Sequence, residues 1–179
     1  MLLHSVKRLL TATRAVDGTW IRKSPIEIED SFLGLLTSEE PVEFDSGGVT
    51  HTTNIVFRKQ IEIDGSRKLQ VSFLDNDDLD GVLKLTRRLI AGLRKKDYWY
   101  RLVLAWHHRD LHRLMSEEPV VSTRTLASLL EPYLMKVWAN YPDDRPSAEI
   151  WYSAGRLLGG ARVCIVLDER GRYTAAGMG

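Results

Sequence analysis

A chain of 179 residues, 44% hydrophobic and 27% charged, has the size and composition of one globular domain, 1–179, able to bury a core without metals or disulfides. Its 25 basic and 24 acidic residues leave a net charge of +1, so the cationic surplus that drives phosphate binding is missing and nucleic acid is not expected as a partner. The single cysteine, Cys164, excludes an intramolecular disulfide and suits a reducing compartment, and no apolar run reaches the roughly 20 residues that span a bilayer; the expectation is a cytoplasmic protein without a membrane partner.

Residues 1–15, MLLHSVKRLLTATRA, place Leu2, Val6, Leu9 and Leu10 on one side of an amphipathic helix. The same stretch has Lys7, Arg8, Arg14 and no acid before Asp17, the composition of a mitochondrial transit peptide; the helix is the reading preferred here. Val16-Asp17-Gly18 marks a turn, and Trp20–Ile28 is extended, with Pro25 holding it irregular or at an edge. Phe32–Leu36 is a short apolar run ended by Glu39-Glu40-Pro41. Between Val49 and Asp75, Ile55 and Phe57, Ile61 and Ile63, and then Leu69, Val71 and Phe73 alternate with polar neighbours around an Asp64-Gly65-Ser66 turn. That is the period of antiparallel strands lying on a core.

Asp75-Asn76-Asp77-Asp78 opens a helix in which Leu79, Val82, Leu83, Leu85, Leu89, Ile90 and Leu93 recur at helical spacing up to Lys95-Lys96, acids first and bases last, as the helix dipole favours. A second helix is expected over Tyr98–Met115. A third is expected over Leu126–Trp138, capped at Ser122-Thr123 and kinked or restarted at Pro132. Residues 141–146 read as a loop. In the C-terminal segment, 148–179, Val163–Leu167 is expected to pair antiparallel with Arg172–Ala176 across a turn at Asp168–Gly171. Val163, Ile165 and Leu167 would share one face, with Cys164 and Val166 on the other, as in a strand covered on both sides. The fold class that follows is α+β: an antiparallel sheet of about four to six strands packed mainly on one face against two or three helices. Its expected core includes Ile55, Phe57, Leu69, Val71, Phe73, Leu83, Leu89, Leu126, Val163 and Ile165.

Few residues combine into a chemistry. His108 and His112 sit at i and i+4, a spacing that presents two imidazoles to zinc, with His107 beside them. Arg109 stands where a metalloprotease helix has its Glu, and a third ligand would have to come from afar, from His51 or an acid. A polar helix face is the plainer reading, and a metal-dependent hydrolase is the rival function it leaves open. Asn76–Gly81 brushes against a calcium loop but begins on Asn and puts Arg87 where a bidentate Glu is needed, so capping accounts better for its acids. Gly155, Gly159 and Gly160 lack the Lys-Ser/Thr of a phosphate loop, and no nucleophile elbow is present. Cys164, between Val163 and Ile165, reads as a buried small hydrophobe with no basic activator beside it. Arg87-Arg88 and Arg94-Lys95-Lys96 with Tyr98, Trp99 and Tyr100 combine charge and rings as single-strand binders do. That leaves a nucleic-acid-binding accessory protein as a further alternative function, though a helix start that is half core and half surface is the commoner explanation.

Phe32-Leu33-Gly34-Leu35, Glu149-Ile150-Trp151-Tyr152, Gly159-Gly160, the strand Val163–Leu167 and Ala175-Ala176-Gly177 follow one another in an order that resembles an uncharacterised bacterial domain-of-unknown-function family, over roughly Ile26 to Gly177. In that family a histidine tends to follow the glycine pair. Here Ala161 follows it, so no role of that histidine carries over. The resemblance implies no established activity; some members resemble immunity proteins encoded beside toxins. The expectation is therefore a non-enzymatic protein-binding module, an immunity-type inhibitor of a bacterial toxin, with no catalytic residues and no cofactor. Its partner-binding residues would be Asp75, Asp77, Asp78, Asp80, Trp99 and Tyr100, the acids imitating a nucleic-acid backbone toward a nuclease partner or simply capping a helix.

Overall fold

A computed structural model of the chain describes residues 27–39, 43–46, 49–52, 56–65, 67–74, 79–95, 98–99, 102–103, 128–140, 145–153 and 162–178. Strands β1 (Glu27–Asp30) and β2 (Gly34–Thr37) form one hairpin, and β3 (Glu43–Ser46) and β4 (Val49–Thr52) form another. Then come β5 (Val56–Asp64), β6 (Arg67–Leu74), helix α1 (Leu79–Leu93), β7 (Glu131–Asn140), β8 (Arg145–Ser153), β9 (Arg162–Leu167) and β10 (Tyr173–Met178). The last six strands make one sheet in the order β10-β9-β8-β7-β6-β5.

Period-two alternation gives this sheet a packed inner face. Phe57, Ile61 and Ile63 on β5 and Leu69, Val71 and Phe73 on β6 are all buried, and the cross-strand rings of Phe57 and Phe73 stack with centroids 5.1 Å apart. Met135, Val137 and Ala139 on β7, Ala148, Ile150 and Tyr152 on β8, and Val163, Ile165 and Leu167 on β9 continue it. Helix α1 lies across β6, β7 and β8 and buries Val82, Leu83, Leu85, Leu89, Ile90 and Leu93 against them. Thr86, on the same stripe, satisfies its buried hydroxyl by donating to the Val82 carbonyl at 2.8 Å. Each such large side chain contributes about 1.5–3 kcal/mol through its removal from water, and this layer therefore holds the helix to the sheet.

The C-terminal hairpin forms antiparallel across the predicted turn, with its second strand running Tyr173–Met178 rather than Arg172–Ala176 and its register shifting between Tyr173 and Ala175. Ile165 pairs with Ile150 on one side and Ala176 on the other, so β9 is an internal strand. Gly171 takes φ 71°, closing the turn by donating its N–H to the Asp168 carbonyl at 2.8 Å. The Asp168 carboxylate accepts the Arg170 and Arg172 amides (2.9 and 2.8 Å) and the Arg172 guanidinium. Burial pushes this carboxyl up, but those donors outweigh it and hold it below the usual carboxylate range. Tyr98 ties the turn to the helical layer by donating its hydroxyl to the Gly171 carbonyl at 2.8 Å.

The β1–β2 hairpin is anchored by an aspartate. Asp30 accepts the amides of Phe32 and Leu33, both at 2.8 Å, and pairs with Arg87 of α1 in a two-pronged contact that includes Nε–Oδ2 at 3.0 Å. Gly34, at φ 73°, completes the turn, and Ile28, Leu33 and Leu36 are buried. Beyond β2 the chain runs against the start of β5, with Ser38 bridging to Phe57 and Glu39 donating to the Val56 carbonyl.

Several expectations change. The span predicted as a third helix is largely strand: β7 starts at Glu131, and Pro132 marks a bulge, not a helical kink, since the register with β8 shifts between Pro132 and Leu134. The sheet is mixed, because β6 and β7 run parallel, from Gln70 opposite Leu134 to Phe73 opposite Val137. Among the described residues α1 is the one full helix, with helical backbone also at 98–99, 102–103 and 128–129. The expected loop ends earlier than predicted, since Arg145 and Pro146 already belong to β8. The amphipathic N-terminal segment, most of the expected second helix, Ile55 and Leu126 lie outside the described residues. Among those described, no helix is long and apolar enough to cross a membrane.

One buried group lacks a match. Tyr152 is wholly enclosed, its ring 4.1 Å from that of Trp99, and among the described residues its hydroxyl has no hydrogen-bond partner. Burial, with Tyr98 and Cys164 nearby, pushes its phenol far above the ordinary value. An unpaired buried hydroxyl costs about 1–3 kcal/mol. Tyr152→Phe, which keeps the ring, is therefore expected to stabilise the fold by about 1 kcal/mol, read as a higher midpoint in urea at unchanged m. A lower midpoint would mean that the hydroxyl is satisfied in solution.

Candidate partner-binding surface

The strands that bury one face of the sheet leave the other facing outward. Because Ile150 and Tyr152 point into the core, Trp151 between them must point out, and the same alternation on β7 sends Leu134, Lys136 and Trp138 outward between buried Met135, Val137 and Ala139. Register then lines these residues up. Leu134, Trp151 and Cys164 form one row across β7, β8 and β9, Lys136, Glu149 and Val166 the next, and Trp138 faces Ser147 beyond them.

Polar contacts fix the rings. Trp151 donates its indole N–H to Glu149 at 3.1 Å, and the Lys136 ammonium lies 5.8 Å from the Trp151 ring centroid. Tyr133, the extra residue at the β7 bulge, lies beneath the Arg162 guanidinium at the same 5.8 Å separation. Tyr133, Leu134, Trp138 and Trp151 are each part-buried, and these contacts hold the rings of Tyr133 and Trp151 without enclosing them. Cys164 sits beneath them. Burial, with some help from Glu149, pushes its thiol up to about 12, so it stays protonated and acts as a small apolar side chain in this face.

A second concavity lies between the β1–β2 hairpin and α1. This cleft of about 490 Å3 is lined by Ile28, Glu29, Asp30, Asp80, Leu83, Lys84 and Arg87. At its floor, burial pushes the Asp30 carboxyl up, but the Arg87 guanidinium and the two backbone amides outweigh it and hold the group below the ordinary carboxylate range. Nearby, Phe32 is 41% exposed beneath the Arg94 guanidinium and Leu35 is 55% exposed. The cleft alternates acids with bases, and its one buried ion pair already has a structural task.

The residues singled out from the sequence fall in different places. Asp80 is exposed in the first turn of α1 and lines the cleft, where its charge also suits the helix N-terminus. Trp99 is not a surface anchor: it is buried to 9% exposure against Tyr152 and belongs to the core. Asp75, Asp77, Asp78, Tyr100, His107, His108 and His112 lie outside the described residues. The described part of the basic stretch is largely engaged internally. Arg87 holds Asp30, Arg94 donates to the Glu62 carbonyl and covers Phe32, and Tyr98 holds the turn at Gly171. Among the described residues no group of three or more His, Cys, Asp or Glu side chains comes together in a way that could hold a metal ion. The outer-face set of Tyr133, Lys136, Trp138, Trp151 and Arg162 was missed. The signal for Trp151 was present in the alternation of Glu149-Ile150-Trp151-Tyr152. No family model, curated protein or solved structure matches this chain.

Proposed function

We propose that this protein is a non-enzymatic protein-binding module that works in the cytoplasm, with the outer face of the sheet as its contact surface and a protein toxin, held in an immunity-type complex, as its partner. The observation that carries the reading is the set of part-buried Trp151, Trp138 and Tyr133 on the outer face of β7 and β8, with Lys136 beside Trp151 and Arg162 beside Tyr133. Trp, Tyr and Arg are the residues that most often anchor protein interfaces, the two aromatics because they supply large contact area for little lost freedom. A regular sheet presents them rigidly, so little ordering remains to be done on binding. The toxin as partner class rests on the family resemblance of the C-terminal segment.

The test compares two baits in lysate of the native host, the wild-type protein and Trp151→Ala, with quantitative mass spectrometry of what each retains. Trp151→Ala lies outside the packed core and is expected to keep the wild-type melting curve. The expected result is a protein recovered in stoichiometric amount by wild type and reduced at least about tenfold by Trp151→Ala, the loss that a central aromatic anchor gives. No stoichiometric partner for wild type, or equal recovery by both baits, overturns the proposal.

A further inference from the structure

The outer face of β7, β8 and β9 has a sign as well as a shape. Lys136 points outward between buried Met135 and Val137, and Arg145 and Arg162 stand opposite Asn140 and Ser153 at the strand ends; all three are exposed. The acids of the same face are placed differently. Glu149 is part-buried and accepts the Trp151 indole N–H at 3.1 Å. Glu131, exposed at the start of β7, adds to the pull of Asp64 on the Arg67 guanidinium of β6. Tryptophan is a donor only, through its indole N–H. With that N–H committed to Glu149, Trp151 meets a partner through its ring. What the face offers beyond rings is therefore cationic: the Lys136 ammonium, 5.8 Å from the Trp151 centroid, and the Arg162 guanidinium, 5.8 Å from the Tyr133 centroid.

We infer that the partner protein meets this face with an acidic surface: Asp or Glu side chains reach Lys136 and Arg162 around an apolar side chain that packs on Trp151. This rests on the protein-binding reading above and adds to it the sign of the partner's contact. Potentials across an interface are complementary, and like charges brought together cost binding. The contact therefore does not work by imitating a nucleic-acid backbone, because the site that such imitation blocks is cationic and so is this face. Discrete carboxylates also suit the face better than a phosphate chain does. Glu149 stands opposite Lys136 in register and against Trp151, in the path of a backbone laid across the rings, whereas separate side chains can be set down on either side of it. The same charges steer the encounter, so association is faster at low ionic strength and slows as salt screens them.

Carbodiimide, which joins an amine to a carboxylate in contact with it, tests the sign directly on the complex that wild type captures from lysate of the native host. The expected result is a link from Lys136 to an Asp or Glu of the captured protein, located by mass spectrometry. Lys136→Arg, which keeps the charge but not the amine, is expected to keep the recovery and lose the link. Lys136→Glu/Arg162→Glu is expected to lower recovery at least about tenfold, while Lys84→Glu/Arg88→Glu, the same change of charge on α1 at the other side of the sheet, leaves it unchanged. These four positions include no buried residue, so the variants are expected to keep the wild-type circular dichroism spectrum. A complex that depends on Trp151 but is unmoved by reversing Lys136 and Arg162, or that gives no carbodiimide link at Lys136, overturns the inference and leaves the protein-binding reading standing. No stoichiometric protein on wild type, or nucleic acid in its place, overturns both.

Discussion

Ile165→Asp is expected to abolish folding. Ile165 is fully buried on β9, between Ile150 of β8 and Ala176 of β10, and its face of the sheet is packed against the helical layer. No cation among the described residues contacts this position, so the new carboxylate would be buried unpaired or forced to take up a proton. Either route costs several kcal/mol, and the lost isoleucine packing adds about 2–5 kcal/mol. The sum is comparable with the net stability of a typical domain, about 5–15 kcal/mol, and takes up most or all of it. The measurement is the soluble fraction on expression together with a circular dichroism melt, with Ala175→Asp on the exposed outer face as a companion that keeps its cooperative transition. A soluble Ile165→Asp protein melting at the wild-type temperature would make β9 a peripheral strand and undo the description of the core.

Asp30→Ala is expected to cost about 3 kcal/mol and to flatten the acid limb of the stability profile. The substitution leaves two turn amides without their acceptor and Arg87 without its carboxylate. Arg87 is 30% exposed and recovers some hydration, which keeps the cost below that of a fully enclosed pair. The sign with pH follows from the depressed carboxyl. A group whose folded value lies below its unfolded value stabilises the fold fully above the unfolded value, about 4 for aspartate, and loses that contribution as pH falls through the folded value. Wild-type stability should therefore drop as the solution is acidified below about pH 4, and the drop should be shallower in Asp30→Ala, where Asp168 still contributes in the same direction. Urea midpoints across that range measure it; parallel curves for the two proteins would show that the Asp30–Arg87 pair does not hold the hairpin to the helix.

What could be read from the sequence follows from how local each signal is. The hairpins at Gly65 and Gly171 were legible because a glycine in a turn stands between strand-type runs, alternating around Gly65 and, before Gly171, continuously apolar; both glycines do take positive φ. Helix α1 was legible because a seven-residue apolar stripe at one spacing has few alternatives. β7 was not, because Leu126, Leu130 and Leu134 repeat at helical spacing just where Met135, Val137 and Ala139 begin to alternate, and Pro132 suited a kinked helix as well as a bulged strand. Once that strand was read as a helix, the strand–helix–strand order that announces a parallel neighbour disappeared. Trp99 failed for a different reason. Nothing local tells whether a ring after a basic run turns outward or inward, and the decision lay with Tyr152, far along the chain. The outer-face aromatics were half legible: alternation gives Trp151 its direction, but only the sheet order puts Trp138, Lys136 and Arg162 around it.

The parallel seam between β6 and β7 divides the sheet in time as well as in space. On one side, β5 and β6 are joined by a tight turn. On the other, β7 to β10 follow one another as antiparallel neighbours, so each half can zip up from contacts close in sequence. Only Gln70–Phe73 against Leu134–Val137 requires the ends of a long loop to meet, and that loop contains α1, whose apolar stripe rests on β6 on one side of the seam and on β7 and β8 on the other. Loop-closure entropy is paid before such a contact returns anything, which places the seam late in folding and makes α1 the clasp that fastens two preformed halves.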